Sequence, residues 1–256
     1  MDKRLQAFQQ LLDIMDDLRA KCPWDKKQTL ESLRHLTIEE TYELADAILE
    51  DNQDEIKGEL GDLMLHIVFY AKIGSELGTF DITDVLEGIN RKLIERHPHI
   101  YGDVKAETAE QVKDNWEKIK LKNGKKRVLS GVPVSLPAMI KAYRIQDKVK
   151  GVGFDWEHPH QVWDKVQEEM HELQQEVETK ASPRKIEEEF GDLMFALINY
   201  ARFIGVNPEN ALEKTNKKFV KRFEHLEAEA VKRGRDLKKM NLSEMDVFWN
   251  EAKKLD

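Results

Sequence analysis

The strongest constraint on the fold is an internal duplication. Three blocks recur in the same order: EETYEL returns as EEMHEL, ELGDLM as EFGDLM, and NRKLIER as NKKFVKR. They start at residues 39, 59 and 90 in the first half and at 168, 189 and 216 in the second. A W-x-x-x-K motif follows each set, at Trp116 and at Trp249. This order indicates one duplicated module, because a solenoid needs three or more shorter repeats.

Each copy has the apolar spacing of helices. In the second copy, apolar residues occur at 162, 166, 170, 173 and 177, and no sustained alternation of period two is present in the chain. We therefore predict an all-α fold with two tandem helical-bundle modules. The predicted N-terminal module spans residues 1–125 and the C-terminal module 151–256. Residues 126–150 are predicted to be a linker, because Gly, Pro and Ser punctuate this region.

Composition narrows the class of protein. The formal net charge is -8 and no basic stripe dominates, which argues against a protein that coats nucleic acid. A single cysteine, Cys22, excludes a disulfide framework. No apolar run approaches the ~20 residues of a membrane span, and the N-terminal segment contains acidic residues unlike a signal peptide. We expect a cytoplasmic protein with no membrane or nucleic-acid partner.

Paired carboxylates border the apolar stripe of two successive helices in the second copy. At about 100° per residue, Glu169 and Glu172 share one strip, as do Glu189 and Asp192 on the next helix. A short connection predicts antiparallel packing, which brings the two strips face to face. Oxygen ligands of this kind suit Mg²⁺, with Mn²⁺ as a substitute. The first copy has the same set, a possible second metal site: Glu40, Glu43, Glu59 and Asp62.

Two other interpretations of these acids are open. A single acidic motif on a helix is more often a solvated face, and only the duplication of both motifs favours a metal site. A carboxylate-bridged di-iron bundle needs Glu-x-x-His on two helices. Glu168 and His171 fit that motif, but Tyr42 occupies the histidine position of the first copy, so we disfavour di-iron chemistry.

Basic residues accompany the acids of the second copy. Lys165 and Lys185 each precede a glutamate by four residues, and Lys218 and Arg222 form an i,i+4 pair. Around a metal site, such cations would neutralise the charge of a polyphosphate. Each of them alone is equally well explained by an ion pair with a nearby glutamate. Trp249 is placed to stack on a base or to pack in the core.

The order E-E-x-x-E, E-x-x-D and K-x-x-x-R resembles MazG, a family of two-copy bacterial nucleoside triphosphate pyrophosphohydrolases. The phrase VPVSLPAMIKAYRIQDKVKGVGFDW between the copies strengthens the resemblance. It implies the all-α NTP pyrophosphatase fold, a homodimer, Mg²⁺ dependence, and hydrolysis of NTPs to NMP and pyrophosphate. The implied metal ligands are Glu169, Glu172, Glu189 and Asp192. The implied nucleotide contacts, ATP among the nucleotides, are Lys165, Glu168, Lys185, Glu188, Lys218, Arg222, Trp249 and Lys253.

On this basis we expect a metal-activated water to attack the α-phosphorus of NTPs and dNTPs. Glu168 or Glu188 is expected to accept the proton. We expect the C-terminal copy to carry most of the hydrolysis, because the first copy has Leu36 and Glu55 at the positions of two lysines of the second. Two alternatives are a catalytically silent nucleotide-binding regulator and a helical adaptor.

Overall fold

The structure is a computed structural model that describes residues 2–108, 111–112, 115–116 and 127–255. Within these ranges the chain forms helices and no strands, which confirms the all-α prediction. The chain divides into two compact units, Met1–Ile119 and Lys120–Asp256. No helix in the described part is long and apolar enough to cross a membrane. The predicted module boundary at residues 125 and 126, and Lys120 of the first W-x-x-x-K motif, lie outside the described residues.

Five α-helices form the described part of the first unit. They are α1 (Lys3–Lys21), α2 (Leu30–Leu49), α3 (Gln53–Glu76), α4 (Ile82–Arg96) and α5 (Pro98–Tyr101). Helix α2 packs against α3, and α1 packs on α3. Side chains cap the entries to these helices: Thr29 and Ser32 form a capping box at α2, and Asn52 accepts from the backbone of Glu55 at α3.

The second unit also contains five α-helices in its described part. They are α6 (Ala138–Lys150), α7 (Pro159–Glu178), α8 (Pro183–Phe203), α9 (Pro208–Lys232) and α10 (Leu242–Ala252). Proline begins α7, α8 and α9, where its missing N–H would have no helical partner. Helices α7 and α8 pack closely, α6 packs on α8, and α9 contacts α6, α8 and α10.

The α2–α3 and α7–α8 hairpins have the same kind of turn as well as similar sequences. Asp51 follows α2 and Lys180 follows α7, at matching places in the duplication, and both have φ of 54°. A residue in the left-handed region directly after a helix reverses the chain and satisfies the last carbonyl groups. The backbone N–H of Asn52 donates to the carbonyl oxygen of Ala47, and that of Ala181 donates to the carbonyl oxygen of Glu176, each across this turn. In both copies, the same left-handed turn therefore reverses the chain between the two helices that carry the acids.

Part of the segment predicted as linker belongs to the second unit. Residues 138–150 form α6, which packs against α8. Within α6, the buried side chain of Gln146 donates from Nε2 to the carbonyl oxygen of Phe195, at 2.8 Å. Helix α6 in the second unit thus takes the place that α1 takes in the first, against the third helix of the module.

Each unit has its own apolar cluster. In the first unit, Met15, Leu33 and Phe69 bring α1, α2 and α3 together. In the second, Leu226, Ala230 and Phe248 join α9 to α10. Burial of a Leu, Met or Phe side chain contributes about 1.5–3 kcal/mol. The first cluster therefore fixes α2 and α3, which carry the carboxylates of that unit, whereas the second fixes α10 against α9.

Candidate metal and nucleotide site

Three of the four carboxylates predicted as metal ligands meet in the second unit. Ligand oxygens of Glu169, Glu172 and Glu189 all lie within 4.8 Å of one another. Glu169 and Glu172 are one turn apart on α7, and Glu189 faces them from α8, as antiparallel packing predicts. Asp192 lies outside this 4.8 Å group, one turn beyond Glu189. Its charge nevertheless acts on Glu189.

The first unit builds the same cluster. Oxygens of Glu40, Glu43 and Glu59 also lie within 4.8 Å of one another, from α2 and α3. Asp62, one turn after Glu59, is again outside the group. The Glu59 Oε2 atom is buried and has no hydrogen-bond partner among the described residues. A buried acceptor without a donor is costly unless a cation or water satisfies it.

The clustered acids have perturbed ionisation in both units. Lost hydration and the charges of Glu172 and Asp192 raise the pKa of Glu189. Lost hydration and the charges of Asp62, Glu43 and Glu59 raise the pKa of Glu40. Like charges held this close either take up protons or take up a cation. The all-oxygen donor set, the unsatisfied Glu59 atom and the raised pKa values fit a hard divalent ion such as Mg²⁺.

The two predicted lysines differ in their surroundings. Lys165 Nζ lies 2.7 Å from Glu169 and 2.9 Å from Glu168, and these hydrogen bonds raise the pKa of the lysine. It therefore stands at the edge of the carboxylate cluster. Lys185 is 3.6 Å from Glu176 and largely exposed, and Glu188 pairs instead with Arg184, at 3.0 Å.

The remaining predicted nucleotide contacts lie on α9 and α10. The guanidinium of Arg222 lies 5.9 Å from the ring centre of Trp249, which also packs against Phe219. Lys218 is exposed on α9, and Lys253 is the C-cap of α10. Trp249 also packs against the α9–α10 apolar cluster, so at least part of its role is structural. Binding of nucleotide by this group stays a prediction.

A pocket of about 500 Å³ opens beside the carboxylates of the second unit. Glu169, Asp192 and Lys165 line it, together with residues of α6 and of the loop 153–156. The sequence patterns did not single out Asn199 and Arg202, which also line this pocket. The signal that would have found Asn199 is its partner in the duplication, the apolar Phe69.

The comparisons with known proteins agree with this geometry. The MazG nucleotide pyrophosphohydrolase domain matches the chain twice, at residues 28–101 and 157–227. The chain belongs to the MazG family. Each matched segment contains one complete set of the clustered carboxylates.

Relatives match over nearly the whole chain. The nucleoside triphosphate pyrophosphohydrolase/pyrophosphatase MazG of Thermotoga maritima is 44% identical over 251 residues, which cover 96% of this chain and 95% of the relative. The nucleoside triphosphate pyrophosphohydrolase of Escherichia coli K12 is 40% identical over 258 residues, with 98% of each chain covered. An uncharacterized protein of Bacillus subtilis, YabN, is 45% identical over 254 residues, and the match covers 97% of this chain and 52% of YabN.

Proposed function

We propose that this MazG-family chain is a Mg²⁺-dependent nucleoside triphosphate pyrophosphohydrolase that converts NTPs and dNTPs to NMP and pyrophosphate. The observation that carries the proposal is the meeting of Glu169, Glu172 and Glu189 beside Lys165. The names of the Thermotoga and E. coli relatives support the same reaction. Mn²⁺ is proposed as a substitute ion, and ATP as one substrate.

The carboxylates Glu169, Glu172, Glu189 and Asp192 would hold the ion. A Mg²⁺ ion held there would supply positive charge that offsets the charge of the phosphates and lowers the pKa of a water molecule. Oxygens of Glu169, Glu172 and Glu189 lie within 4.8 Å of one another, so these three side chains would offer the ion a ready set of ligands.

The side chains around the cluster have separate tasks in the reaction. The water oxygen forms a bond to the α-phosphorus, and the bond from that phosphorus to the bridging oxygen breaks, so that pyrophosphate leaves with the electron pair. We assign the water's proton to Glu168, since it shares Lys165 with Glu169 at the edge of the cluster. Lys165 offsets negative charge on the phosphates, together with Lys185, Lys218 and Arg222.

The C-terminal unit is proposed to carry most of the hydrolysis. Both units gather three carboxylates, so the acids alone do not separate them. The first unit has Leu36 where the second has Lys165, and Glu55 where the second has Lys185. These differences remove positive charge from the first cluster and weaken its attraction for a triphosphate.

We also propose that the protein is a homodimer. Phe190 on α8 and Phe219 and Phe223 on α9 are large apolar side chains that the chain leaves exposed. Exposed apolar surface of this kind is typical of a face that another protein covers. Sedimentation of a monomer at roughly micromolar concentration would count against the dimer.

The deciding experiment identifies the products. Purified protein is incubated with Mg²⁺ and a panel of NTPs, and NMP with pyrophosphate is the expected result. NDP with orthophosphate would contradict the proposal. No product with intact NTP binding would favour a silent regulator, and neither product nor binding would favour a helical adaptor.

A matched pair of variants tests the assignment to the second unit. Glu172→Gln should lower turnover by about 10²-fold or more, because a ligand charge is removed while the shape is kept. Glu43→Gln makes the same change in the first unit and should spare most of the activity. Equal losses, or the reverse order, would refute the proposed division between the units.

A further inference from the structure

Arg233 connects the end of α9 to the end of α10. It is the C-cap residue of α9. Its Nη2 atom donates to Glu229 of α9 at 3.1 Å and to Glu251 of α10 at 2.9 Å. Its guanidinium carbon lies 4.5 Å from the ring centre of Phe248, which is buried in the α9–α10 apolar cluster. One side chain therefore contacts both helices, through hydrogen bonds and through an aromatic ring.

The part of α10 that Arg233 contacts carries two of the predicted nucleotide contacts. In the sequence, Glu251 stands midway between Trp249 and Lys253. The ring of Trp249 lies 5.9 Å from the guanidinium of Arg222, a further predicted contact on α9. A shift of the last turn of α10 would therefore move both Trp249 and Lys253 relative to Arg222.

Part of this arrangement is common at the end of a helix. Glu229 and Arg233 form an i,i+4 pair, and a cation is favoured at the negative end of the helix dipole. Neither effect accounts for the bond to Glu251 or for the contact with Phe248. The side chains of Arg233 and Glu251 are 45% and 39% exposed, so solvent screens their attraction and the pair adds little to stability.

The hydrogen bonds of Arg233 act on the orientation of α10 more than on its attachment. Burial of Phe248 already holds α10 against α9, but apolar contact has no preferred direction. A guanidinium is planar, and its hydrogen bonds to a carboxylate have a defined geometry. The bond to Glu251 therefore restricts how the last turn of α10 can rotate or slide on α9.

The first unit differs from the second at this position. Helix α4 ends at Arg96, which matches Arg222, whereas α9 continues to Lys232. Continued without gaps, the match of the two helices places Glu107 where the second unit has Arg233. Glu107 carries the opposite charge and lies outside any helix. The arginine and the long helix that presents it thus belong to the unit proposed to carry most of the hydrolysis.

We propose that Arg233 is a positioning residue of the second unit, which holds the last turn of α10 so that Trp249 and Lys253 meet the nucleotide. The inference rests on the proposed function, because it takes these two residues as nucleotide contacts. Arg233 acts through α10 and not by direct contact with the phosphates.

Glu251→Gln is the decisive variant, because positioning and simple electrostatics predict opposite signs for it. The variant removes a negative charge, which by electrostatics alone favours binding of a polyphosphate. If Arg233 positions α10, the same change releases the helix end and weakens binding. Arg233→Gln should weaken binding to a similar degree. The double variant should lose no more than either single variant, since both break one contact.

Binding is measured by calorimetry on the full-length protein with Mg²⁺ and α,β-methylene ATP, which cannot be cleaved at the α–β bridge. Arg235→Gln and Glu244→Gln are the matched controls, because they break the 2.8 Å ion pair that joins the chain after α9 to the first turn of α10. Arg235 has the same exposed fraction as Arg233, 45%. The controls therefore make the same charge changes at the other end of α10.

We expect Arg233→Gln and Glu251→Gln each to weaken binding about threefold to thirtyfold, the range of a coupling carried through packed side chains. Both controls should stay within about twofold of the wild type. In turnover assays, Arg233→Gln should raise KM and leave kcat within about twofold, since the carboxylate cluster is unchanged. Arg233→Gln and Arg235→Gln should lower the melting temperature alike, by about 4 °C or less, so that a difference in binding between them does not reflect unfolding.

Four results would overturn the inference. They are unchanged or tighter binding in Glu251→Gln, equal losses of binding in Arg233→Gln and Arg235→Gln, losses that add in the double variant, or no binding of the analogue by the wild type. Failure of the proposed function looks different: the wild type would bind the analogue and lose affinity in Arg233→Gln and Glu251→Gln, yet release no pyrophosphate from NTPs. That outcome supports the positioning role and rejects the hydrolase.

Discussion

Replacing Glu172 by glutamine should have opposite effects on stability with and without Mg²⁺. Oxygens of Glu169 and Glu172 lie within 4.8 Å of each other. Two unit charges at that separation repel by about 0.9 kcal/mol in bulk water and by about 3.5 kcal/mol at an effective dielectric constant of about 20. Glu169 is buried, but Glu172 is open to solvent, which screens the pair, so we take the lower figure. Glu172→Gln removes this repulsion.

Without divalent ions, the variant should therefore melt about 2–4 °C above the wild type. Saturating Mg²⁺ should reverse the order of the two melting temperatures. An ion that binds the folded state stabilises it by an amount that grows with affinity, about 2.7 kcal/mol when the ion concentration is a hundred times Kd. The variant has lost a ligand charge, so Mg²⁺ should stabilise it much less. The assay is differential scanning calorimetry of the full chain, first with a chelator and then over a series of Mg²⁺ concentrations.

Glu187→Gln provides the matched control, since Glu187 is an exposed glutamate of α8 outside the cluster. It should change neither the melting temperature in chelator nor the response to Mg²⁺. If Glu172→Gln and the wild type gain the same stability from Mg²⁺, the ion does not bind at this cluster. If the variant melts lower in chelator, repulsion among the carboxylates is not what the side chain contributes.

Three further changes have expected outcomes. Phe248→Ala should lower the free energy of unfolding by about 3–5 kcal/mol in urea titrations, because it empties the α9–α10 apolar cluster. His66 hydrogen-bonds Thr37 and packs edge-on against Tyr70, and burial lowers its pKa although Asp62 opposes this. Stability of the first unit should therefore fall as pH drops below about 6.5, where the unfolded chain binds a proton that the folded chain does not; His66→Gln should flatten that slope. Lys165→Leu, the residue of the first unit, should raise KM for NTP at low salt more than at high salt.

The duplication and the helical periodicity were sufficient to predict how three of the four acids in each unit are arranged, whereas Asp192 and Asp62 lie outside the group. Glu169 and Glu172 share a face because three residues nearly complete a helical turn. A short connection then leaves antiparallel packing as the simple way to bury both apolar stripes, which brings Glu189 opposite. These are local rules applied twice, and the structure has the same three-carboxylate group in each unit.

Other features depended on contacts that a sequence pattern does not contain. Residues 138–150 looked like linker because turn residues precede them, and only packing against α8 shows α6 as part of the unit. Lys165 was equally compatible with an ion pair and with a phosphate contact, and the structure has it paired with both Glu168 and Glu169. The orientation of Asn199 depends on Arg202, whose own position is fixed by Asp155 from a distant loop.

Phe69 and Asn199 allow two packings of one module to be compared within a single chain. The first unit shows how this module packs when the space between its helices is filled, and the second shows the same module with that space left open. An open pocket costs packing, and that cost is normally inferred from mutants. A gene duplication has here preserved both solutions side by side. Selection on the two halves should therefore differ: the first tolerates change that preserves volume, while the second tolerates change that preserves the opening.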